Sequence, residues 1–356
     1  MKKNKYIFSL DVIRTLAISG VVAIHVALAV SARADFFGGI SWYVSIIINS
    51  ISRSAIPLFI LLSGYLILSK NESFKKTMFR ILSRISIPLI FWTYFYIWWI
   101  YKDIPSLFTS LTSLPMRLLI VNVFHLYYLA IIIGLYAISP FLRNYLQDKT
   151  KKFQLSLTGL LLCATAGIVF LQYILAACSF TNIFIMWIPY VGLYLAGYTL
   201  GHNTLSIKRY ILCGVFILSF VTTTALNIYY YSELFIHNNK ILNPEGCISH
   251  YSDYYLSLNI IFMAIPLFLL LLNANYSYIQ KTFAAKIIKS IARMSFGIFL
   301  THIFILQYFD TLALFDWITP LWLYIIVKWT GVFLTSYALT FILMKTPVIR
   351  KIVGEK

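Results

Sequence analysis

Ile7-Phe8-Ser9-Leu10-Asp11-Val12-Ile13-Arg14-Thr15-Leu16-Ala17-Ile18-Ser19-Gly20-Val21-Val22-Ala23-Ile24-His25-Val26-Ala27-Leu28-Ala29-Val30-Ser31 decides the fold. A helix of that length, at 1.5 Å per residue, crosses a hydrocarbon layer about 30 Å thick. Apolar runs of similar length recur along the 356-residue chain, 60% of which is hydrophobic and only 11% charged. A soluble core cannot absorb that much apolar surface, so the composition excludes a soluble domain and predicts an all-α polytopic membrane protein. Ten spans fit, at 7–31, 44–69, 85–101, 124–142, 153–173, 183–201, 210–231, 255–272, 292–309 and 321–344. They enclose an intramembrane polar cavity. Met1 to Lys5 resembles the start of a signal peptide, but no small-residue cleavage site follows, and residues 7–31 read as an uncleaved first span.

The chain carries 29 Lys and Arg against 11 Asp and Glu, a formal charge of +18. These cations sit between spans rather than in a dense basic domain, which argues for membrane orientation and against nucleic acid. With the amino terminus inside, 23 of the 29 fall at inner ends and loops, so both termini are expected in the cytoplasm. Arg33, Arg53, Lys102, Arg117, Lys240 and Lys328 are the exceptions. Leu107, Leu111 and Leu114 give residues 104–116 the spacing of a short interfacial helix, or of an ordinary outer loop. The four cysteines form neither a CxxC pair nor a metal-ligand pattern, so no metal is expected; Cys178 and Cys247 could meet outside the membrane. The whole of 1–356 is expected to be one membrane domain without an appended soluble domain.

Chemistry is therefore sought among the polar groups inside spans, where a charge costs at least about 2.5 to 3.5 kcal/mol and faces a cavity or a partner. Arg14 and His25 are eleven residues apart, three helical turns plus about 20°, so they share one face about 16 Å apart. Asp11, three residues before Arg14, is placed to hold the guanidinium. Counted from their inner ends, Arg53 and His25 reach the same depth in the outer half. Pro57 predicts a kink mid-span, and Ser63-Gly64-Tyr65 permits close approach of a ligand or another backbone. His125 begins span 4 and His302 lies near the middle of span 9; both are second-rank candidates beside His25. Lys328 reads as a snorkelling or paired side chain. Lys75, Lys76, Arg80 and Arg84 gather at the inner ends of spans 2 and 3, suited either to phosphate oxygens or to anionic lipid and topology alone.

Leu10-Asp11-Val12-Ile13-Arg14 with His25, and Ser52-Arg53-Ser54-Ala55-Ile56-Pro57-Leu58-Phe59-Ile60-Leu61-Leu62-Ser63-Gly64-Tyr65, together resemble two motifs of the acyltransferase 3 family of membrane O-acyltransferases, particularly its stand-alone surface-glycan members. Phe124 to Pro140, Tyr190 to Gly201 and Met294 to His302 resemble its later motifs, with Tyr127 and Phe299 where Trp and Tyr are frequent. The resemblance implies a bacterial inner-membrane enzyme that takes an acyl group from cytosolic acyl-coenzyme A, usually acetyl-coenzyme A, to a hydroxyl of a surface glycan such as O-antigen or of a lipid-linked sugar. On that reading Arg80, Arg84, Lys75, Lys76 and Arg14 hold the donor phosphates, with Ser63 and Tyr65 along the donor path. His25 is the general base, Arg53 stabilises the oxyanion, and Asp11 orients Arg14. Direct transfer and an acyl-histidine route are both compatible. A transporter or flippase of a lipid-linked sugar is the competing class, with the same charges lining a permeation path.

Overall fold

The computed structural model describes residues 7–31, 37–70, 72–101, 124–175, 184–203, 207–236, 251–315, 317–318, 320–347 and 349–355. The segment 104–116, Cys178, Cys247, Arg33, Lys102, Arg117 and Lys240 lie outside the described residues. Among those described there is no strand. Nine helical stretches are long and apolar enough to cross a membrane. The chain is an all-α polytopic membrane protein.

The helices are α1 (Phe8–Ser31), α2 (Ile40–Ser52), α3 (Ala55–Ile67), α4 (Phe74–Ile81), α5 (Ile87–Tyr101), α6 (Tyr127–Gln147), α7 (Lys151–Ile174), α8 (Val191–His202), α9 (Arg209–Ile236), α10 (Leu258–Leu272), α11 (Phe283–Thr311) and α12 (Leu321–Lys345). α2 and α3 are the halves of one broken span, and α4 and α5 are the halves of another, joined by a π-helical turn at Leu82–Ser86. The sixth span of the sequence reading, 183–201, appears as α8, only 12 residues long after a 3₁₀ turn at Ile188–Tyr190. Its middle, from Gly192 to Gly197, is wholly buried. Packed among α3, α7 and α10 instead of against lipid, α8 has no need to match the full bilayer thickness.

In lipid, helices are held together by close packing and hydrogen bonds, because acyl tails are as apolar as leucine. α1 is the hub, packing against α2, α3, α10, α11 and α12. The tightest crossing joins α3 to α8. A methyl group on Gly64 would strike the carbonyl of Tyr194, and one on Gly197 would strike that of Leu61. The two backbones touch reciprocally, so only glycine fits at either position. Arg14, Lys70, Arg293 and Glu355 border one cavity, which puts the ends of α1, α3, α11 and the carboxy-terminal turn on one face of the bundle. The cations gathered there are the pattern that the positive-inside rule associates with a cytoplasmic face.

The break in the second span falls earlier than Pro57 itself. Proline lacks the N–H that would bond the carbonyl four residues back, that of Arg53, so the helix interrupts at Arg53–Ser54 and Pro57 sits in the first turn of α3. Arg53 thereby becomes the last-turn cap of α2, at a bend within the membrane. Gly20 of α1 lies opposite, where a Cβ would come 2.9 Å from that of Ala55.

Candidate active site

On that cation-rich face a cavity of about 360 Å³ opens between α1, α3, α6 and α11. Arg14, Lys70, Arg80, Arg84 and Arg293 border it against one carboxylate, Glu355. Asp11 accepts from Arg14 at 3.1 Å, as the i, i+3 spacing requires. Arg80 pairs with Glu72, an acid that the motif reading passed over, and Arg143 donates to the Glu72 carbonyl at 2.8 Å and the Ile67 carbonyl at 3.3 Å. These contacts close the α3–α4 turn and aim the Arg80 guanidinium. The exposed Arg293–Glu355 pair, 2.9 Å apart, contributes little to stability. Lys70 is half-buried, and its amine is pushed below the ordinary lysine range by burial and then by Arg80, Arg84, Arg14 and Lys76.

Three expected donor residues, Lys75, Lys76 and Tyr65, fall outside this wall. Lys75 and Lys76 stand exposed on the first turn of α4, nearer the aqueous surface than Arg80, and do not border the cavity. Lys70 and Arg293 take their places. Tyr65 turns the other way, stacking on His202 with ring centroids 4.2 Å apart and meeting Phe268 edge-on. Ser63 does border the cavity and accepts from the Tyr136 hydroxyl at 3.3 Å.

Toward the membrane centre the lining becomes apolar and aromatic, ending at Phe59, Tyr128 and Phe299. Behind Phe299 three histidines from three separate elements meet. The ring centroids are 5.2 Å apart for His25 and His302, 4.8 Å for His125 and His302, and 6.4 Å for His25 and His125. Phe299 contacts the His125 ring at 5.0 Å, which makes it the partition between cavity and histidines. The two histidines ranked second by sequence thus stand beside the first.

The three rings differ in what holds them. His302, 0% exposed, directs Nδ1 at the carbonyls of Phe299 (2.8 Å) and Ile298 (3.1 Å), while its Nε2 is buried without a partner. His125, 4% exposed in the 3₁₀ turn Phe124–Leu126, has neither nitrogen in a hydrogen bond of good geometry, although the Phe299 and Leu300 carbonyls lie near. His25 is partly exposed and makes no hydrogen bond among the described residues. Tyr96 braces α11 here, donating to the Leu300 carbonyl at 2.8 Å and accepting from the Phe304 N–H at 3.2 Å.

On the far side of His25, Arg53 donates to Asp253 at 2.5 Å and lies near enough for its charge to act on His25. Asp253 also accepts from Asn227 at 2.8 Å and, at a long 3.5 Å, from Asn49; Asn227 in turn bonds Ser50 and Ser252. The Arg53 Nε–H is buried and has no partner. Sequence reasoning missed Asp253 and Asn227 entirely. A signal existed: an arginine deep in a span demands a carboxylate, and Asp253 is an acid at the edge of an apolar run. Lys328 is likewise paired, with Asp310 and with the Tyr324 hydroxyl. No group of histidine, cysteine or carboxylate side chains among the described residues is spaced to ligate a metal. His237 and His250 lie outside the described residues.

The family model for the acyltransferase domain of the acyltransferase 3 family matches residues 7–344, and the chain belongs to that family, as a membrane acyltransferase. Neither a curated protein nor a solved structure gives a significant match.

Proposed function

We propose that this chain is an O-acetyltransferase of the bacterial inner membrane, carrying an acetyl group from cytosolic acetyl-coenzyme A to a hydroxyl of a surface glycan or lipid-linked sugar. The observation that carries the reading is the adjacency of the basic cavity and the histidine cluster: five cations border the cavity, and Phe299, which lines it, packs on the His125 ring. The 3′-phosphate and diphosphate of the donor suit Arg80, Arg84, Arg14, Lys70 and Arg293, since guanidinium forks match phosphate oxygens. Arg14 and His25 are about 16 Å apart along α1, a distance that an extended pantetheine arm bridges. The narrow aromatic passage favours a small acyl group.

In the transfer step a ring nitrogen of His25 takes the proton of the acceptor hydroxyl as its oxygen attacks the thioester carbonyl. The new C–O bond forms, and the oxyanion faces the Arg53 Nε–H, which no protein group occupies. Collapse breaks the C–S bond, and the proton passes from His25 to the departing thiolate. Arg53 is held for this work by Asp253. The transporter reading gains nothing from the geometry, because Arg53 and Lys328 are each locked onto a carboxylate.

The test is thiol release and acetyl transfer by the purified protein in lipid nanodiscs, where no compartment exists for transport. Acetyl-coenzyme A with a glycoside acceptor should give turnover, and His25→Ala should abolish it with folding intact. Absence of turnover in the wild type across glycan acceptors, or full turnover in His25→Ala, defeats the reading.

A further inference from the structure

The mechanism above uses one imidazole and leaves without a task a second, His302, whose ring centroid is 5.2 Å from that of His25. His302 presents both of its nitrogens to defined surroundings. A backbone carbonyl can only accept, so the contacts of Nδ1 with the Phe299 and Ile298 carbonyls at 2.8 and 3.1 Å require the proton on Nδ1. Nε2 then carries a lone pair. It is sealed from solvent and meets no donor, a costly state for a buried polar atom unless it serves a purpose.

The group best placed to satisfy it is His25. Two imidazoles joined by an N–H···N bond of ordinary length, about 2.9 Å, have ring centroids about 5 Å apart. The observed separation is 5.2 Å, with the planes inclined at 46°. The missing alignment is a turn of the His25 ring about χ2, a soft torsion in histidine. His125 stands 4.8 Å from His302 as well, but it is enclosed, edge-on to Phe299 and Tyr96, whereas His25 is partly exposed and free of other hydrogen bonds.

Resting on the acyl-transfer reading, we propose that His302 is a positioning residue whose Nε2 accepts a hydrogen bond from His25, fixing the tautomer and plane of the His25 ring so that its other nitrogen is the base. The carbonyls of Ile298 and Phe299 stand behind His302 as the outer members of this chain. Proton and charge balance are unchanged. The acceptor's proton goes to His25 and then to the thiolate, while His302 keeps its own Nδ1 proton throughout and shares the positive charge that His25 carries between the two events. The device orients a base in a hydrophobic interior without adding a buried carboxylate beside it.

Asparagine and glutamine separate the two nitrogens of His302. His302→Asn keeps a donor for the carbonyls and removes the acceptor at Nε2. His302→Gln places an amide oxygen near Nε2. The expected result is a fall in kcat of about two orders of magnitude for His302→Asn, with KM for acetyl-coenzyme A within twofold of wild type, and partial recovery of kcat in His302→Gln. ¹⁵N spectra of histidine-labelled protein in lipid supply a readout independent of turnover. His302 should show the Nδ1-protonated tautomer, and the His25 resonance should move in His302→Asn. Unchanged kcat in His302→Asn, equal losses in both variants, an Nε2-protonated His302 or an unmoved His25 signal would each overturn the pairing. A wild type inactive with acetyl-coenzyme A but with the expected spectra would defeat the assigned reaction while leaving the histidine pair in place.

Discussion

The ion pair of Arg53 and Asp253 offers the sharpest energetic test of the bundle. Arg53 donates at 2.5 Å, and the two side chains are 12% and 5% exposed. Asp253→Leu would strip the acceptor from Arg53 and from Asn227, leaving a guanidinium at the bend of the second span with no counter-charge. Breaking a buried pair from one side costs about 3–5 kcal/mol, because the surviving charge stays desolvated. Arg53→Met should cost a similar amount, since it takes from the buried Asp253 carboxylate the guanidinium that stands 2.5 Å away. In the double variant neither charge remains, so the combined loss should fall short of the sum by up to about 3 kcal/mol. Reversible unfolding in mixed detergent micelles, with helix content as the signal, measures all three. Additive single effects, or losses under about 1 kcal/mol each, would refute the argument that this pair is desolvated and mutually dependent.

Other perturbations follow from the same geometry. Arg80→Ala with Arg84→Ala should raise KM for acetyl-coenzyme A by about tenfold or more while changing kcat little, since phosphate binding is the same in ground and transition states; a pure kcat defect in steady-state assays would contradict phosphate binding. Lys75→Ala with Lys76→Ala should leave that KM near wild type, because neither side chain borders the cavity; a KM shift matching that of the arginine pair would contradict the placement. Lys70, depressed by burial and its cationic neighbours, loses its proton at lower pH than an ordinary lysine, while bound phosphate favours the protonated form. Donor KM should therefore rise as pH rises through that pKa, and Lys70→Arg should flatten the limb; identical KM profiles for the two proteins would exclude the coupling. Gly197→Ala should destabilise the protein by about 1–3 kcal/mol, because the added methyl meets the Leu61 carbonyl, and unaltered thermal stability would mean the α3–α8 contact is looser than described.

Composition was enough to read the membrane class, because hydrocarbon imposes length; of the ten spans expected, nine appear among the described residues as helical stretches long enough to cross, and residues 183–201 hold the shorter α8. The face shared by Arg14 and His25 was legible from helix arithmetic. Pro57 was legible as a disturbance, though the break lands at Arg53, the residue whose carbonyl loses its donor. What could not be read was convergence across elements. Nothing local says that His125, in a short 3₁₀ turn, lands 4.8 Å from His302, or that Asp253 rather than a nearer acid answers Arg53. The basic cluster near residue 80 was visible as charge, yet its division into cavity wall and exposed surface depends on helix rotation. That rotation sets Arg80 inside and Lys75 and Lys76 outside, while Lys70, just after α3, and Arg293 of α11 complete the wall.

The π-helical turn at Leu82–Ser86 sets that rotation. One residue more than an α-turn requires is accommodated there, which swings everything amino-terminal to it by about 100° relative to α5. Deleting a single residue from this stretch would restore an unbroken α-helix and carry Arg80 around the barrel of the helix, away from the cavity. A widened turn of five residues thus works as an azimuth setting for the cavity wall, and length variation at this place would change which cations face the cavity while leaving the three histidines in place.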